Sequence, residues 1–304
     1  MFWNKKDILI THSGSFHSDD VFAAATLHLY YKKIKKPYKL IRSIDPEVIQ
    51  TGNIVFDIGA EYDEEANRFD HHQKGGAGER LNGIPFASFG LVWKKYGPLL
   101  CGSQDIADEI DINLVQAIDA ADNGVTISQN LRDDISPVFV QSLLQSFNLT
   151  HVEDIRLSDH RFDDAMHIAA LYLERVIHQT KIQYEINLKV REIYEQQGEK
   201  EILVVDDFFG RVALSRAVQD FPELLYFIYP SKRGGGWDAC ATRKEKGTFD
   251  SKKPFPPSWR GLRGEDLAKE TGVSGAVFCH NSGFLCSAKT KEEALELAKK
   301  SQKA

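Results

Sequence analysis

The stretch Ile8-Leu9-Ile10-Thr11-His12-Ser13-Gly14-Ser15-Phe16-His17-Ser18-Asp19-Asp20 decides how this chain folds. Residues 8–11 read as a short buried strand, and the Ser-Gly-Ser that follows reads as a loop. Ser18 is predicted to cap a helix over residues 19–33. Asp19 and Asp20 then lie in its first turn, with Lys32, Lys33, Lys35 and Lys36 at or past its end. Both charge placements complement the helix dipole, and Pro37 prevents continuation. The middle of this helix (Val21, Phe22, Ala23, Ala24, Ala25, Leu27, Leu29) is apolar nearly all round, as a helix buried against a sheet would be.

The alternation continues outward. Residues 38–42 and 53–57 read as further strands, and residues 85–96 and 105–121 as helices. Strands separated by helices predict an α/β fold with a doubly wound, mainly parallel sheet, whose sites lie in loops at the strands' carboxyl ends. His12 and Asp57 both fall there. Between residues 159 and 197, Ala165, Ala169, Tyr172, Val176, Ile186, Val190 and Ile193 repeat at helical spacing. That is one long amphipathic helix or a kinked pair, ended by Gly198. Beyond it, residues 201–205, 224–229, 237–242, 276–279 and 284–287 read as strands and residues 291–302 as a closing helix. The Asn281-Ser282-Gly283 link makes the last two strands a hairpin. A smaller α+β domain at the C-terminus is expected, joined to the first by the helical segment.

With 304 residues and 42% hydrophobic content, the chain is long enough for two cores. No apolar run approaches the ~18–20 residues of a membrane span. A strand begins almost at once, with no apolar signal-peptide core before it, so cytoplasmic residence is expected. Cys101, Cys240, Cys279 and Cys286 have no CxxC spacing and read as buried reduced thiols. The net charge of −6 argues against a protein that coats long duplex nucleic acid. Nine Lys/Arg against three acids between Ser231 and Arg263 make that segment +6, which leaves −12 for the rest. An acidic half beside a basic segment suits a phosphate-bearing substrate.

Four segments, in order, carry imidazoles and carboxylates: the opening stretch, Val55-Phe56-Asp57-Ile58-Gly59, Asp70-His71-His72, and Ala117-Ile118-Asp119-Ala120-Ala121-Asp122-Asn123-Gly124. Mn²⁺- and Mg²⁺-type ions take oxygen ligands, Mn²⁺ also accepts imidazole, and thiolates would select softer metals. Two such ions at ~3.5–4 Å can activate a water and neutralise phosphoryl oxygens. Asp57, at a strand end after three apolar residues, is well placed to bridge them. Taken alone, each segment has an ordinary reading as a loop histidine, a first-turn helix acid or a turn residue. Those ordinary readings must account for all four segments separately.

The four segments resemble the ordered motifs of the DHH phosphoesterase superfamily. The wording is closer still to one branch, the melanocyte proliferating gene (MYG) exonuclease family. The match includes Thr11-His12-Ser13-Gly14-Ser15-Phe16-His17, Arg68-Phe69-Asp70-His71-His72-Gln73 and Ile118-Asp119-Ala120-Ala121-Asp122-Asn123-Gly124. It continues in Pro257-Ser258-Trp259-Arg260-Gly261-Leu262-Arg263 and Phe278-Cys279-His280-Asn281-Ser282-Gly283-Phe284. The matching stretches run from residue 11 to residue 284.

The resemblance implies His12 and Asp19 as metal ligands. The superfamily's usual aspartate, four residues after the histidine, is here Phe16, and His17 is its candidate replacement. Asp57 corresponds to the bridging carboxylate, His71 to a metal ligand, Asp70 to a residue that orients an imidazole, and His72 to a group reaching the scissile phosphate. Asp122 corresponds to the last ligand, with Asp119 and Asp20 held in reserve. Arg260 and Arg263, whose guanidinium forks suit phosphate oxygens, are candidate substrate contacts together with His280 and Gly283. Trp259 has two readings, a base-stacking platform or a core residue.

The implied organisation is a DHH-type metal-binding catalytic domain (1–158), a helical connector (159–198) and a C-terminal substrate-binding domain (199–304). The implied function is a metal-dependent phosphodiesterase with two divalent ions, Mn²⁺ ahead of Mg²⁺. It would be a 3′–5′ exonuclease or oligoribonuclease releasing mononucleotides from short single-stranded RNA or oligonucleotides. A pyrophosphatase-like hydrolase of a small phosphoanhydride or nucleotide is an alternative, and a non-catalytic nucleotide-binding sensor is another. No membrane partner is expected, and homo-oligomerisation stays open.

Overall fold

Strand β1 (Asp7–Thr11) runs through the loop 12–17 into helix α1 (Ser18–Ile34). The computed structural model, which describes residues 6–232, 235–245 and 247–304, corrects the expected cap. His17 occupies that position instead of Ser18, and its backbone N–H donates to Asp20 Oδ1 at 3.0 Å. At the other end Lys35 turns left-handed (φ 54°) and its N–H returns to Lys32 O, so the helix stops before Pro37. The apolar middle of α1 is buried on all sides, and Phe22 stacks on Phe89 with centroids 5.1 Å apart.

Strand β2 (Tyr38–Arg42) pairs parallel with β1. After the one-turn helix α2 (Pro46–Ile49), strand β3 (Ile54–Phe56) pairs parallel with β1 on its other side. Two very short strands follow, β4 (Tyr62–Asp63) and β5 (Arg68–Phe69). β5 lies parallel beside β3, with β4 antiparallel at the edge, giving the order β2-β1-β3-β5-β4. The expected mainly parallel sheet is present. The β4–β5 hairpin was not foreseen, because two-residue strands carry no readable period. Since β1, β3 and β5 are parallel neighbours, the loops that leave their carboxyl ends lie side by side. The strand order also reverses between β1 and β3, which is where such sheets place their ligands.

Helix α3 (Ser88–Cys101) lies further along the chain than the expected 85–96. The single helix expected over 105–121 is α4 (Gln104–Ile110), a π-helical turn (Asp111–Val115) and α5 (Gln116–Asp122). Helix α6 (Val140–Gln145) follows. Helix α7 (Ser158–Gln196) is one unbroken run of 39 residues. By internal contacts the chain divides into two units, one ending at Lys181 and the other beginning at Ile182, inside α7. Phe162 of α7 packs edge-on against Phe16 of the first unit, while Ile186 and Val190 join a core of the second.

The second unit contains β6 (Ile202–Val204), α8 (Arg211–Ala217), β7 (Tyr226–Pro230) and β8 (Trp237–Ala241). It continues with α9 (Gly264–Thr271), β9 (Ala276–Cys279), β10 (Leu285–Ala288) and α10 (Lys291–Lys303). Its sheet has the order β6-β7-β8-β10-β9, with β6–β7 parallel and the other pairs antiparallel. The hairpin at residues 281–283 is present as β9–β10. Helix α10 opens with a capping box: Glu293 N–H donates to Thr290 Oγ1 and Thr290 N–H to Glu293 Oε2. Arg233 and Lys246 of the basic segment lie outside the described residues. Among the described residues, no helix is long and apolar enough to cross a membrane.

Candidate metal centre

Three adjacent strand ends and one helix start deliver the ionisable groups. His12 follows β1, Asp57 follows β3, Asp70-His71-His72 follow β5, and Asp19 and Asp20 open α1. Asp122, the last residue of α5, completes the cluster. His12 Nε2 lies 3.0 Å from Asp20 Oδ2 and 3.2 Å from Asp57 Oδ2. His71 Nε2 lies 3.3 Å from Asp57 Oδ1, 3.3 Å from Asp122 Oδ2 and 3.9 Å from Asp19 Oδ2. Ligand atoms within 4.8 Å of one another form three groups: His12, Asp20 and Asp57; Asp57, His71 and His72; and His17, Asp19 and Asp122.

Asp57 belongs to two of these groups, and its backbone explains how. It adopts φ 55°, a left-handed conformation that aspartate tolerates better than most side chains. The extended strand stops there, and the carboxylate turns along the row of strand ends with one oxygen toward His12 and the other toward His71.

Asp19 and Asp20 are fully buried, and Asp57 is nearly so. Burial raises the Asp19 carboxyl well above its usual range, and the nearby carboxylates of Asp57, Asp122 and Asp20 raise it further. Asp20 also rises through burial, with His12 pulling against it. Burial would raise Asp57 too, but the neighbouring His12 and His71 imidazoles outweigh it and hold this carboxyl at about 2. Burial opposes a charge on His12, yet Asp20 and Asp57 push it up to about 10; burial likewise opposes a charge on His71, and Asp57 and Asp122 raise it. Both oxygens of Asp19, Asp20 Oδ2, Asp57 Oδ1 and His71 Nε2 are buried without a well-aligned hydrogen-bond partner. Unpaired buried carboxylates are costly, and cations between them would remove the cost. The donors are oxygen and imidazole with no thiolate, so the residues fit divalent ions of the Mn²⁺ and Mg²⁺ kind.

The other sequence candidates sort by contact. His17 stands 3.9 Å from Asp122 Oδ1, grouped with Asp19 and Asp122 and not with His12. Asp20, expected only in reserve, lies nearer to His12 than any other carboxylate of the set. Asp70 is buried behind the site. It accepts the His71 and His72 backbone N–H groups and, at 2.7 Å, His72 Nδ1, so the ring it orients is that of His72. Asp119, the other reserve, points elsewhere. Its Oδ1 accepts the Gly90 N–H at 3.0 Å, and its Oδ2 lies 2.8 Å from Arg80 Nη2. Arg80 also forks onto Asp111 at 2.9 and 2.7 Å and lies over Phe86. Arg80, in the glycine-rich stretch after the third motif, therefore anchors the π-turn and α5 that carry Asp122. Composition alone did not reveal that role.

In the second unit, Arg260 Nε donates to Phe255 O at 2.9 Å. Gly283 has φ 71°, and a Cβ there would lie 2.7 Å from Arg260 Nε, so this turn requires glycine. His280 Nδ1 accepts the Ser282 N–H at 3.2 Å, which leaves Nε2 to carry the proton in the neutral ring. The Arg263 guanidinium covers the Phe278 ring at 4.6 Å. Trp259 is buried beside Phe255 in the core, which removes it as a stacking platform.

Buried carboxylates and imidazoles along the carboxyl edge of a mainly parallel sheet define an α/β protein with a candidate metal site. The chain belongs to the MYG1 exonuclease family: the profile of that family, described as uncharacterised protein family UPF0160, matches residues 8–302. The MYG1 protein of Dictyostelium discoideum is 30% identical over 95% of this chain and 94% of its own length. The MYG1 exonuclease of Homo sapiens is 28% identical over 95% of this chain and 84% of its own. Among solved structures, the exonuclease RecJ bound to manganese aligns with 97% of this chain and 89% of its own, at 10% identity and a TM-score of 0.25. A likeness of that size carries no argument.

Proposed function

We propose that this protein is a metal-dependent phosphodiesterase that removes mononucleotides from the 3′ end of short single-stranded RNA. The observation that carries the reading is the divided carboxylate of Asp57, with Oδ2 toward His12 and Oδ1 toward His71. One carboxylate can join two cations in that way. Two divalent ions, Mn²⁺ ahead of Mg²⁺, would activate water and neutralise phosphoryl charge when bound. His12, Asp20 and Asp57 would hold one, and Asp57, Asp19, His71 and Asp122 the other, with His17 beside the latter pair of carboxylates. His72, its Nδ1 fixed by Asp70, presents Nε2 to the scissile phosphate.

RNA and the 3′ polarity rest on the family resemblance, and the names of the relatives support nuclease chemistry. On this reading the N-terminal sheet is doubly wound, residues 1–158 are catalytic, 159–198 connect, and 199–304 bind substrate. Arg260, Arg263, His280 and Gly283 then contact the oligonucleotide, and the +6 segment favours a polyanion over a small anhydride.

The test is hydrolysis in Mn²⁺ of a labelled short RNA, a cyclic dinucleotide and pyrophosphate, with Asp57→Ala and His71→Ala alongside. A ladder shortening from the 3′ end, absent in both variants, is expected. Cleavage of pyrophosphate alone would replace the proposal with a phosphoanhydride hydrolase, and binding without turnover would replace it with a sensor.

A further inference from the structure

Phe16 stands where the superfamily usually has an aspartate, and its surroundings show what it does instead. The ring is fully buried and meets Phe162 edge-on, with centroids 5.3 Å apart, while the Arg42 guanidinium lies 5.5 Å from its centre. Its backbone is held on both sides. Phe16 N–H donates to Asn148 Oδ1 at 2.9 Å, and Asn148 Nδ2 donates to Phe16 O at 2.8 Å. One side-chain amide thus pairs with a donor and an acceptor as a neighbouring strand would. Arg42, at the end of β2, donates through Nη2 to Gly14 O at 2.6 Å and through Nη1 to Ser158 Oγ at 3.1 Å. The loop between His12 and His17 is therefore pinned at residues 14 and 16, between its two imidazoles.

We propose that Asn148 is a positioning residue for the metal centre. By clamping the Phe16 backbone it sets where His17 leaves the loop and where α1 begins, and so keeps His17 and Asp19 beside Asp122. The inference rests on the two-cation reading and adds to it. Asn148 lies beyond α6, in the chain that leaves Asp122, so the clamp ties the loop of the first motif to the segment that follows the fourth. A shift of the backbone at residue 16 displaces His17 directly and Asp19 through the first turn of α1. Apolar packing of the ring alone would not specify that register.

The experiment counts Mn²⁺ uptake without substrate, by electron paramagnetic resonance of the free ion, on the full chain. Circular dichroism reports folding in parallel. Asn148→Ala is expected to weaken Mn²⁺ uptake about 10- to 100-fold, the range for residues that orient metal ligands. Asn148→Asp keeps the acceptor, loses the donor to Phe16 O, and should behave alike; it also serves if the alanine variant does not fold. Phe16→Leu keeps the backbone clamp and should retain wild-type affinity. A folded Asn148→Ala or Asn148→Asp protein with the wild-type isotherm would overturn the proposal. So would Phe16→Leu losing as much affinity as Asn148→Ala, since the ring would then be the determinant. No Mn²⁺ uptake by the wild type would overturn the two-cation reading and this inference with it.

Discussion

His71 Nε2 lies 3.3 Å from Asp122 Oδ2, so the loop after β5 and the end of α5 meet at one atom. The same nitrogen is 3.3 Å from Asp57 Oδ1. One imidazole nitrogen supplies one hydrogen bond and cannot satisfy two carboxylates. The convergence is what separates Asp122 from Asp119, which lies one helical turn earlier and is engaged by Arg80.

Asp122→Asn and Asp119→Asn should therefore fail differently. The first is expected to lower Mn²⁺-dependent turnover by at least about 100-fold, the upper end of the range for weaker, indirect perturbations of a metal site. Its thermal midpoint without metal should hardly move. The second should act on stability first and leave the Mn²⁺ requirement close to wild type. Equal losses of turnover in both variants, measured by steady-state kinetics, would contradict the assignment.

Stability should carry a signature of Asp119 in its pH dependence. Burial pushes this carboxyl up to about 7 against the pull of Arg80, from an ordinary value of 3.8. A group raised on folding contributes stability that is complete below its unfolded pKa and is lost as pH rises through the folded one. Asp119→Asn does not titrate. The stability of the variant relative to wild type should therefore increase from about pH 4 to about pH 7. Urea unfolding at several pH values measures it, and a flat or falling difference would refute it.

Gly90 leaves no room for a side chain. A Cβ there would lie 1.9 Å from Asp119 Oδ2 and 2.8 Å from Arg80 Nη2. Gly90→Ala must push apart a buried ion pair, and breaking such a pair typically destabilises by about 3–5 kcal/mol. Chemical denaturation should show a loss of that order, and a wild-type midpoint would mean that α3 can shift without cost.

The four cysteines are free and buried. Burial pushes the Cys101 thiol up to about 11 and the Cys240 thiol up to about 12. Thiolate is the reactive form, so Cys101 and Cys240 in the native protein at about pH 8 should be nearly inert to a thiol reagent and should react fully only in denaturant. Rapid labelling of Cys101 or Cys240 in the folded state would be inconsistent with this core.

Elements with apolar runs and clear punctuation were legible in the sequence. β1, α1 with Pro37 behind it, and the β9–β10 hairpin around Gly283 lie within about two residues of their expected bounds, the usual spread between ways of marking an element's ends. The order of the four motifs was likewise readable, because each falls at a strand end or a helix end. Asp20 was harder to place. Two consecutive acids at a helix start look equivalent until the rotation of α1 is known, and only then does Asp20 approach His12. Asn148 left no trace at all, since its partner Phe16 is 132 positions away and an isolated asparagine has no period. The π-turn at Asp111–Val115 was hidden because its residues fit an ordinary helix.

Asp57 holds φ at 55°, where glycine and asparagine are comfortable and branched residues are not. Selecting this protein in the laboratory for expression alone should let position 57 drift toward those two residues. Selecting for turnover should return it to aspartate. The residue at this one position would then report whether a population is being kept for its shape or for its chemistry.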